Sequence, residues 1–193
     1  MSDRPRLVTP DDAVLVIVDI QERLAAAMAH RAEVVAAAVR LVRAAALLGW
    51  PILATRQYPQ GLGDLEPALR DALEHPGAAA SVSTVDKTAF CCLAEPAFAA
   101  ALAATRRRQV VIAGMETHIC VTQTAIATAA DGHETYLAAD ACCSRCDADH
   151  AIALDRMRAE GVVVATSESV MYEAAGRAAT DEFRALLRIV KGA

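Results

Sequence analysis

The sequence predicts a three-layer α/β/α sandwich, in which helices cover both faces of a six-stranded, mostly parallel, doubly wound sheet. Short runs of apolar, β-branched residues alternate with alanine-rich helical stretches along all 193 residues, as expected of right-handed β-α units. The first run, residues 13–18, is apolar throughout, which is typical of a strand buried on both faces. No linker or internal repeat interrupts the pattern, so we expect a single domain over residues 1–193.

The first half of the chain contains three of the predicted strands. Val34, Leu41 and Leu48 belong to a set of apolar residues at three- and four-residue spacing, which predicts a long helix, and Gly49 follows in the usual C-terminal position. Prolines and glycines then mark a loop. The elements predicted here are strands over 13–18, 52–55 and 81–86, helices over 31–48 and 67–73, and a loop over 56–66.

The second half continues the same alternation. Pro96 stands at the favoured first position of a helix, and Gly132 and Gly161 each follow a helical stretch that they end. The elements predicted here are helices over 96–105, 119–130, 147–160 and 181–190, and strands over 109–113, 133–138 and 162–166.

Charge and composition exclude several classes of function. The net charge is -5, the isoelectric point is near 5.5 and aromatic residues make up only 4%, which argues against binding a phosphate backbone or stacking on bases. No apolar stretch is both long and uncharged enough to span a membrane, and no signal-peptide core follows residues 1–6. We therefore expect a cytoplasmic protein with reduced cysteines and with no nucleic-acid or membrane partner.

Polar side chains follow the predicted strands where an open parallel sheet binds its ligands, beyond the carboxyl ends. Asp19 follows the first strand, Lys87 the third, and Cys120 lies in the first turn of the helix after the fourth. Free amides and the helix dipole favour an anion there, so we expect Cys120 to be a thiolate at neutral pH. Asp19 could then exchange the thiol proton, and Lys87 could stabilise the thiolate. Each residue also has a purely structural interpretation: Cys120 as a small buried thiol, Asp19 as a strand-end cap and Lys87 as a solvated lysine.

Seven short segments carry a resemblance to a known family. They read DIQ at 19–21, QYPQGLG at 57–63, KTAF at 87–90, GMETHICV at 114–121, DACCSR at 140–145, RMR at 156–158 and TSE at 166–168. In this order they resemble the isochorismatase-like cysteine hydrolases, most closely the branch called isochorismatase-domain-containing proteins. The resemblance covers residues 12–190, and the combination of Asp, Lys and Cys at strand ends is its most specific part.

The resemblance implies an isochorismatase-like fold with an Asp-Lys-Cys triad, here Asp19, Lys87 and Cys120. In such a triad the thiolate attacks a carbonyl carbon and forms a thioester, ammonia or an amine leaves, and water completes the hydrolysis. A non-proline cis peptide bond is implied at Met115–Glu116, with an oxyanion hole formed by the amides of Glu116 and Cys120. The resemblance also implies a sheet with strands one and four adjacent, and dimers or higher assemblies of the chain.

The resemblance and the strand ends together indicate which residues contact the substrate and whether a metal is needed. The family's nicotinamidases hold a metal through an Asp-x-His pair after the second strand, where this chain reads Thr-Arg-Gln-Tyr-Pro at 55–59. We therefore expect no metal, and the lack of nucleotide-binding motifs predicts no other cofactor. Tyr58 and Phe90 could pack on an acyl group or in the core, and His118 could touch substrate or shield the site. The candidate substrate-binding residues are Gln21, Gln57, Tyr58, Phe90, Met115 and His118.

A second group of cysteines has a weaker claim to function. Cys143 and Cys146 have a C-x-x-C spacing, with Cys142 beside them. A structural zinc usually needs two such pairs, and Cys91-Cys92 does not supply the second. We favour inert packing over a metal site or a regulatory disulfide.

The leading hypothesis is a metal-independent cysteine hydrolase that cleaves a C–N bond of a small, amide-like molecule, with Cys120 as nucleophile. Isochorismate is a poor candidate substrate, because true isochorismatases act on a vinyl ether and do not use this triad in the same way. Two alternatives remain open: a thiol-based redox sensor or scavenger that uses Cys120, and a non-catalytic interaction protein that retains the fold.

Overall fold

Six parallel strands form the central sheet of the protein, for which the computed structural model describes residues 7–79 and 81–192. The strand order is β3-β2-β1-β4-β5-β6, so the first and fourth strands are adjacent, and all the pairings are parallel. This confirms the predicted doubly wound sheet. The strands are β1 (Ala13–Val18), β2 (Ile52–Gln57), β3 (Val82–Lys87), β4 (Gln109–Met115), β5 (Glu134–Cys143) and β6 (Val163–Ala165).

Helices cover both faces of this sheet, as the sequence predicts. They are α1 (Glu22–Ala25), α2 (Arg31–Leu48), α3 (Pro59–Leu62), α4 (Pro67–Glu74), α5 (Pro76–Ala79), α6 (Pro96–Thr105), α7 (Thr122–Ala130), α8 (Asp147–Ala159), α9 (Ser167–Ala175) and α10 (Asp181–Lys191). The helices α2, α4, α9 and α10 pack on one face with Leu15 and Ile17 of β1. The helices α6, α7 and α8 pack on the other with Val14 and Val16, because successive side chains of a strand point to opposite faces.

Several parts of the chain differ from the sequence prediction, which also did not include the short helices α1 and α5. The predicted loop over 56–66 contains the end of β2 and the short helix α3. This helix was missed because it contains Pro59 and Gly61, and proline and glycine usually indicate a turn. Strand β5 runs five residues further than predicted, after an irregularity in its pairing with β4. Helix α9 was not predicted at all.

Helix α9 begins where two of the family-like segments meet. The Asp140 carboxylate accepts hydrogen bonds from the amide and the hydroxyl of Ser167, both at 2.6 Å. The Thr166 hydroxyl also accepts from the Ser169 amide. These contacts satisfy first-turn amides of α9, and the one from Asp140 comes from 27 residues away, which helix-start patterns cannot show.

Two expectations concern export and membranes. Residues 1–6, on which the expectation about a signal peptide rests, lie outside the described residues. Within the described part of the chain, no helix combines the length and apolar character needed to cross a bilayer.

Candidate active site

The site lies at the carboxyl edge of the sheet, where the ends of β1 and β4 are paired. Gly114 of β4 is paired with Val18 of β1. A Cβ atom at Gly114, whose φ is +153°, would lie 2.7 Å from the Val18 Cβ and closer still to its carbonyl oxygen. Only glycine at position 114 therefore lets the ends of β1 and β4 lie this close together.

Asp19, the first residue after β1, lies at the centre of the site. Its backbone has a left-handed φ of 52°, which aspartate tolerates better than most residues. Its carboxylate is 2.6 Å from the Lys87 ammonium, and both side chains are fully buried. The Thr55 hydroxyl donates to the other carboxylate oxygen at 2.7 Å. The carboxylate is thus buried as an anion with a cation and a donor beside it, as a buried charge requires.

Lys87 ends β3 and reaches across the end of β2 towards Asp19. Its ammonium also donates to the Gln57 side-chain oxygen at 2.6 Å and to the carbonyls of Ala89 and Phe90 at 3.2 and 3.3 Å. Burial, the largest single effect, lowers the pKa of Lys87, but the Asp19 carboxylate together with the Cys92 and Cys120 thiols outweighs it and holds this pKa above its usual value. Lys87 is therefore a fixed cation with its donors already occupied.

Cys120 lies in a π-helical turn, Thr117–Val121, between β4 and α7. Its side chain is buried, with 6% of the residue exposed, and it lies within the electrostatic influence of Asp19. Burial and the Asp19 carboxylate raise the pKa of Cys120 to about 12, against a smaller opposing effect of Lys87. The prediction that Cys120 is a thiolate at neutral pH is therefore wrong for the free protein.

Residues 116–121, which we call the cysteine turn, are held by the start of the next β-α connection. The peptide bond before Glu116 is cis. The buried Glu116 carboxylate accepts from the backbone amide of Arg145 at 2.9 Å and from its guanidinium at 3.0 Å. His118 is hydrogen-bonded to Ser144 at 2.9 Å.

The predicted substrate-binding residues separate into two groups. Gln21 is fully buried, and its side-chain amide bonds the backbone of Gln57 and Gly63, so it joins the ends of β1 and β2. Gln57 is occupied by Lys87 and by the Thr88 carbonyl at 2.8 Å. Met115 is buried in the core on the α2 face.

The other predicted contacts are open to solvent. Tyr58 and Phe90 are 55% and 54% exposed, and His118 is half-buried. A small cavity of about 180 Å³ lies beside Tyr58 and is lined in part by Lys87 and Glu95. Aromatic side chains near the Asp19–Lys87 pair are suited to pack against an apolar part of a small molecule.

Two neighbours of Asp19 were missed by sequence reasoning. Thr55 lies in β2, and only the pairing of β2 with β1 brings its hydroxyl to Asp19. Cys92 is fully buried, with its sulfur 3.9 Å from the Thr55 hydroxyl, and burial raises its pKa to about 11. The sequence signal that could have identified Cys92 as a neighbour of the site was its position five residues after Lys87.

The remaining cysteines are free thiols. Cys142 and Cys143 are buried, and Cys146 is exposed. Burial raises the pKa of Cys143 to about 11. Among residues 7–79 and 81–192, no group of three histidine, cysteine or acidic side chains is arranged to hold a metal ion.

Comparison with known proteins identifies the family. Residues 13–169 match the model of the isochorismatase domain. The chain belongs to the isochorismatase family. Isochorismatase domain-containing protein 2A of Mus musculus is 34% identical over 185 residues, which are 95% of this chain and 85% of the mouse protein.

Solved structures of isochorismatase-like proteins share the fold. The structure described as the MAR1 ribonuclease of Caenorhabditis elegans is 28% identical, with a TM-score of 0.88 over 96% of this chain and 92% of that chain. The YcaC protein of Escherichia coli, described as an octameric hydrolase of unknown specificity, has a TM-score of 0.88 at 20% identity over 97% and 91% of the two chains. Together they confirm the isochorismatase-like sandwich.

Proposed function

We propose that this isochorismatase-family protein is a cysteine hydrolase that cleaves the C–N bond of a small amide, with Cys120, Asp19 and Lys87 as its catalytic residues. The buried Asp19–Lys87 ion pair at 2.6 Å, with the Cys120 thiol close enough for the Asp19 charge to raise its pKa, carries this proposal. A buried acid-base group beside a thiol is the arrangement that nucleophilic catalysis needs. It comes from three separate strand ends, which makes a purely structural origin a weaker explanation.

The protonated state of Cys120 determines the order of the steps. Because the thiol pKa is about 12, the proton moves to the Asp19 carboxylate as the sulfur attacks the carbonyl carbon. The C=O electron pair moves to oxygen, and the backbone amides of Glu116 and Cys120 in the cysteine turn stabilise that oxyanion. As the C–N bond breaks, Asp19 returns the proton to the leaving nitrogen, and a thioester remains on Cys120.

Water completes the reaction by the same route. Asp19 takes a proton from the water that attacks the thioester carbon, and the sulfur leaves and regains that proton. Lys87 keeps the Asp19 carboxylate charged and oriented between the two half-reactions, since its ammonium is fixed by four oxygen atoms.

The substrate is a small molecule, and Tyr58, Phe90 and His118 are the proposed contacts for it. Gln21, Gln57 and Met115 act instead through the protein, because their side chains are occupied or buried. The mechanism requires no metal and no cofactor. We also propose that the chain is cytoplasmic and forms a homo-oligomer. The octamer described for YcaC supports the proposed assembly.

The other candidate functions have less support. A redox sensor needs an accessible thiol with a low pKa, whereas Cys120 is 6% exposed with a raised pKa. Ribonuclease activity is named for the worm relative, but this chain has a net charge of -5 and few aromatic residues, which disfavour RNA binding. An interaction protein would not need a buried ion pair beside a buried thiol.

Ammonia release from a panel of small amides tests the proposal. The panel contains nicotinamide, pyrazinamide, carbamoyl-sarcosine and simple aliphatic amides. Wild type is compared with Cys120→Ala, Asp19→Asn and Lys87→Ala, and with Cys91→Ala as a matched control, because the Cys91 thiol contacts only the Gln123 carbonyl among the described hydrogen bonds. Turnover that is lost in the first three variants and kept in the control supports an Asp-Lys-Cys amidase.

Two other results would count against it. Turnover that survives Cys120→Ala would rule out the nucleophile. No turnover of any amide, together with cleavage of a short single-stranded RNA that depends on Cys120, would favour the ribonuclease alternative.

A further inference from the structure

We propose that residues 144–150, which run from the end of β5 through the first turn of α8, position the cysteine turn for catalysis, and that Arg145 does so through Glu116. This inference rests on the proposed function, because it concerns the same reaction. It assigns a role to the DACCSR segment, whose arginine the mechanism does not use.

Hydrogen bonds between three pairs of residues join the segment to the cysteine turn. Arg145 contacts Glu116 through both its backbone amide and its guanidinium. Ser144 is hydrogen-bonded to the His118 ring at 2.9 Å. His150 is hydrogen-bonded to the Thr117 hydroxyl, also at 2.9 Å. Three consecutive residues of the turn are therefore each held by a side chain from one segment, about 30 residues later in the chain.

Glu116 is the residue through which this positioning acts on the reaction. Its own amide nitrogen belongs to the cis peptide bond, and this amide is one of the two proposed oxyanion donors. Its carboxylate is 5% exposed and is paired with a guanidinium that is 61% exposed. The pair thus fixes the residue that carries the donor without placing either side chain on the substrate. Arg145 is a positioning residue in this sense.

One side of the segment borders a cavity. Ser144 and His150 border this cavity of about 410 Å³, which His30, Glu33 and Asp147 also line. On this side the exposed side chains of His30 and Asp147 contact each other at 3.3 Å, and such an exposed contact stabilises little, so loss of the contacts to the cysteine turn would let the segment and the turn shift. A shift of about 1 Å in a catalytic group can reduce a rate about a hundredfold.

The variants form a graded series. Arg145→Ala removes the guanidinium contact but keeps the backbone amide contact, and Glu116→Ala removes both. We expect Arg145→Ala to lower kcat about tenfold and Glu116→Ala about a hundredfold, with KM within about twofold of wild type. Arg145→Lys restores part of the loss, because it keeps one charged donor. Arg158→Ala removes an exposed arginine that is paired with Asp155 in α8, and it leaves kcat unchanged.

Alkylation by iodoacetamide, followed site by site with mass spectrometry, gives a second measurement that does not need turnover. A displaced turn exposes Cys120 and relieves the burial that raises its pKa, and each unit of decrease raises the thiolate fraction about tenfold. We expect Cys120 to react at least about threefold faster in Arg145→Ala, while the buried Cys142 stays as slow as in wild type. A lower kcat with faster alkylation distinguishes a displaced turn from simple loss of folded protein.

Each other outcome would overturn the inference. If kcat and Cys120 alkylation are both unchanged in Arg145→Ala and in Glu116→Ala, the segment does not position the turn. If Cys120 and Cys142 become reactive together and kcat falls with the folded fraction, the contacts are merely structural. If wild type hydrolyses no amide, the proposed function fails. Alkylation of Cys120 against Cys142 then decides by itself whether Arg145 positions the turn.

Discussion

Substitution of Lys87 by methionine should destabilise the protein strongly, because it leaves the Asp19 carboxylate buried without its cation. Both side chains are fully buried and lie 2.6 Å apart. Loss of one partner of such a pair lowers the free energy of unfolding by about 3–5 kcal/mol. The substitution also removes the donor to Gln57, Ala89 and Phe90. Asp19→Asn leaves those three bonds in place, so we expect it to cost less, about 2–3 kcal/mol.

The double variant Asp19→Asn/Lys87→Met isolates the interaction between the two charges. It removes both charges together, so its loss of unfolding free energy should be smaller than the sum of the single losses by about 1–3 kcal/mol. Urea unfolding of the four proteins at pH 7, followed by circular dichroism, measures these values. Losses that add to within about 0.5 kcal/mol would refute the reasoning, because the carboxylate and the ammonium would then not stabilise each other.

Three further predictions test the strand junction, the thiol and the helix cap. Gly114→Ala should lower the free energy of unfolding in urea by about 1–3 kcal/mol or more and reduce amide turnover, because its Cβ would overlap Val18 next to Asp19. Stability equal to that of wild type would contradict the close approach of Gly114 and Val18. Alkylation of Cys120 should rise about tenfold per pH unit from pH 7 to 10, because its thiol pKa is about 12; a plateau near pH 8.5 would show an ordinary thiol. Asp140→Ala should lower the thermal midpoint by about 2–4 °C through loss of its bonds to Ser167; an unchanged midpoint would show that water replaces this cap.

Much of the fold was predictable because the signals that define it are local. Helix α2 has the predicted bounds, since its apolar spacing and the glycine after it are both read within one segment. Helix α9 was missed because its first turn is held by Asp140, which lies in another element. Strand β5 was predicted too short because its last part pairs with β4 only after an irregularity.

The candidate site was predictable to the same extent and for the same reason. Asp19, Lys87 and Cys120 follow strands, and parallel strands bring their carboxyl ends to one edge. The protonation state of Cys120 was predicted wrongly. A position at the start of a helix lowers a thiol pKa, but burial and a neighbouring carboxylate raise the pKa of Cys120 by more. Only the tertiary structure shows which effect is larger.

The sequence by itself determined the six strands, most of the longer helices and their order, and which polar residues stand at the strand ends. Apolar periodicity, glycines and prolines act over a few residues, so one chain read in order contains them. The tertiary structure alone decided that Asp19 and Lys87 are buried together, that Gln57 supports Lys87 and that Arg145 holds Glu116. Those contacts join residues about 30 to 70 positions apart, and their energies depend on how far folding removes each charge from water.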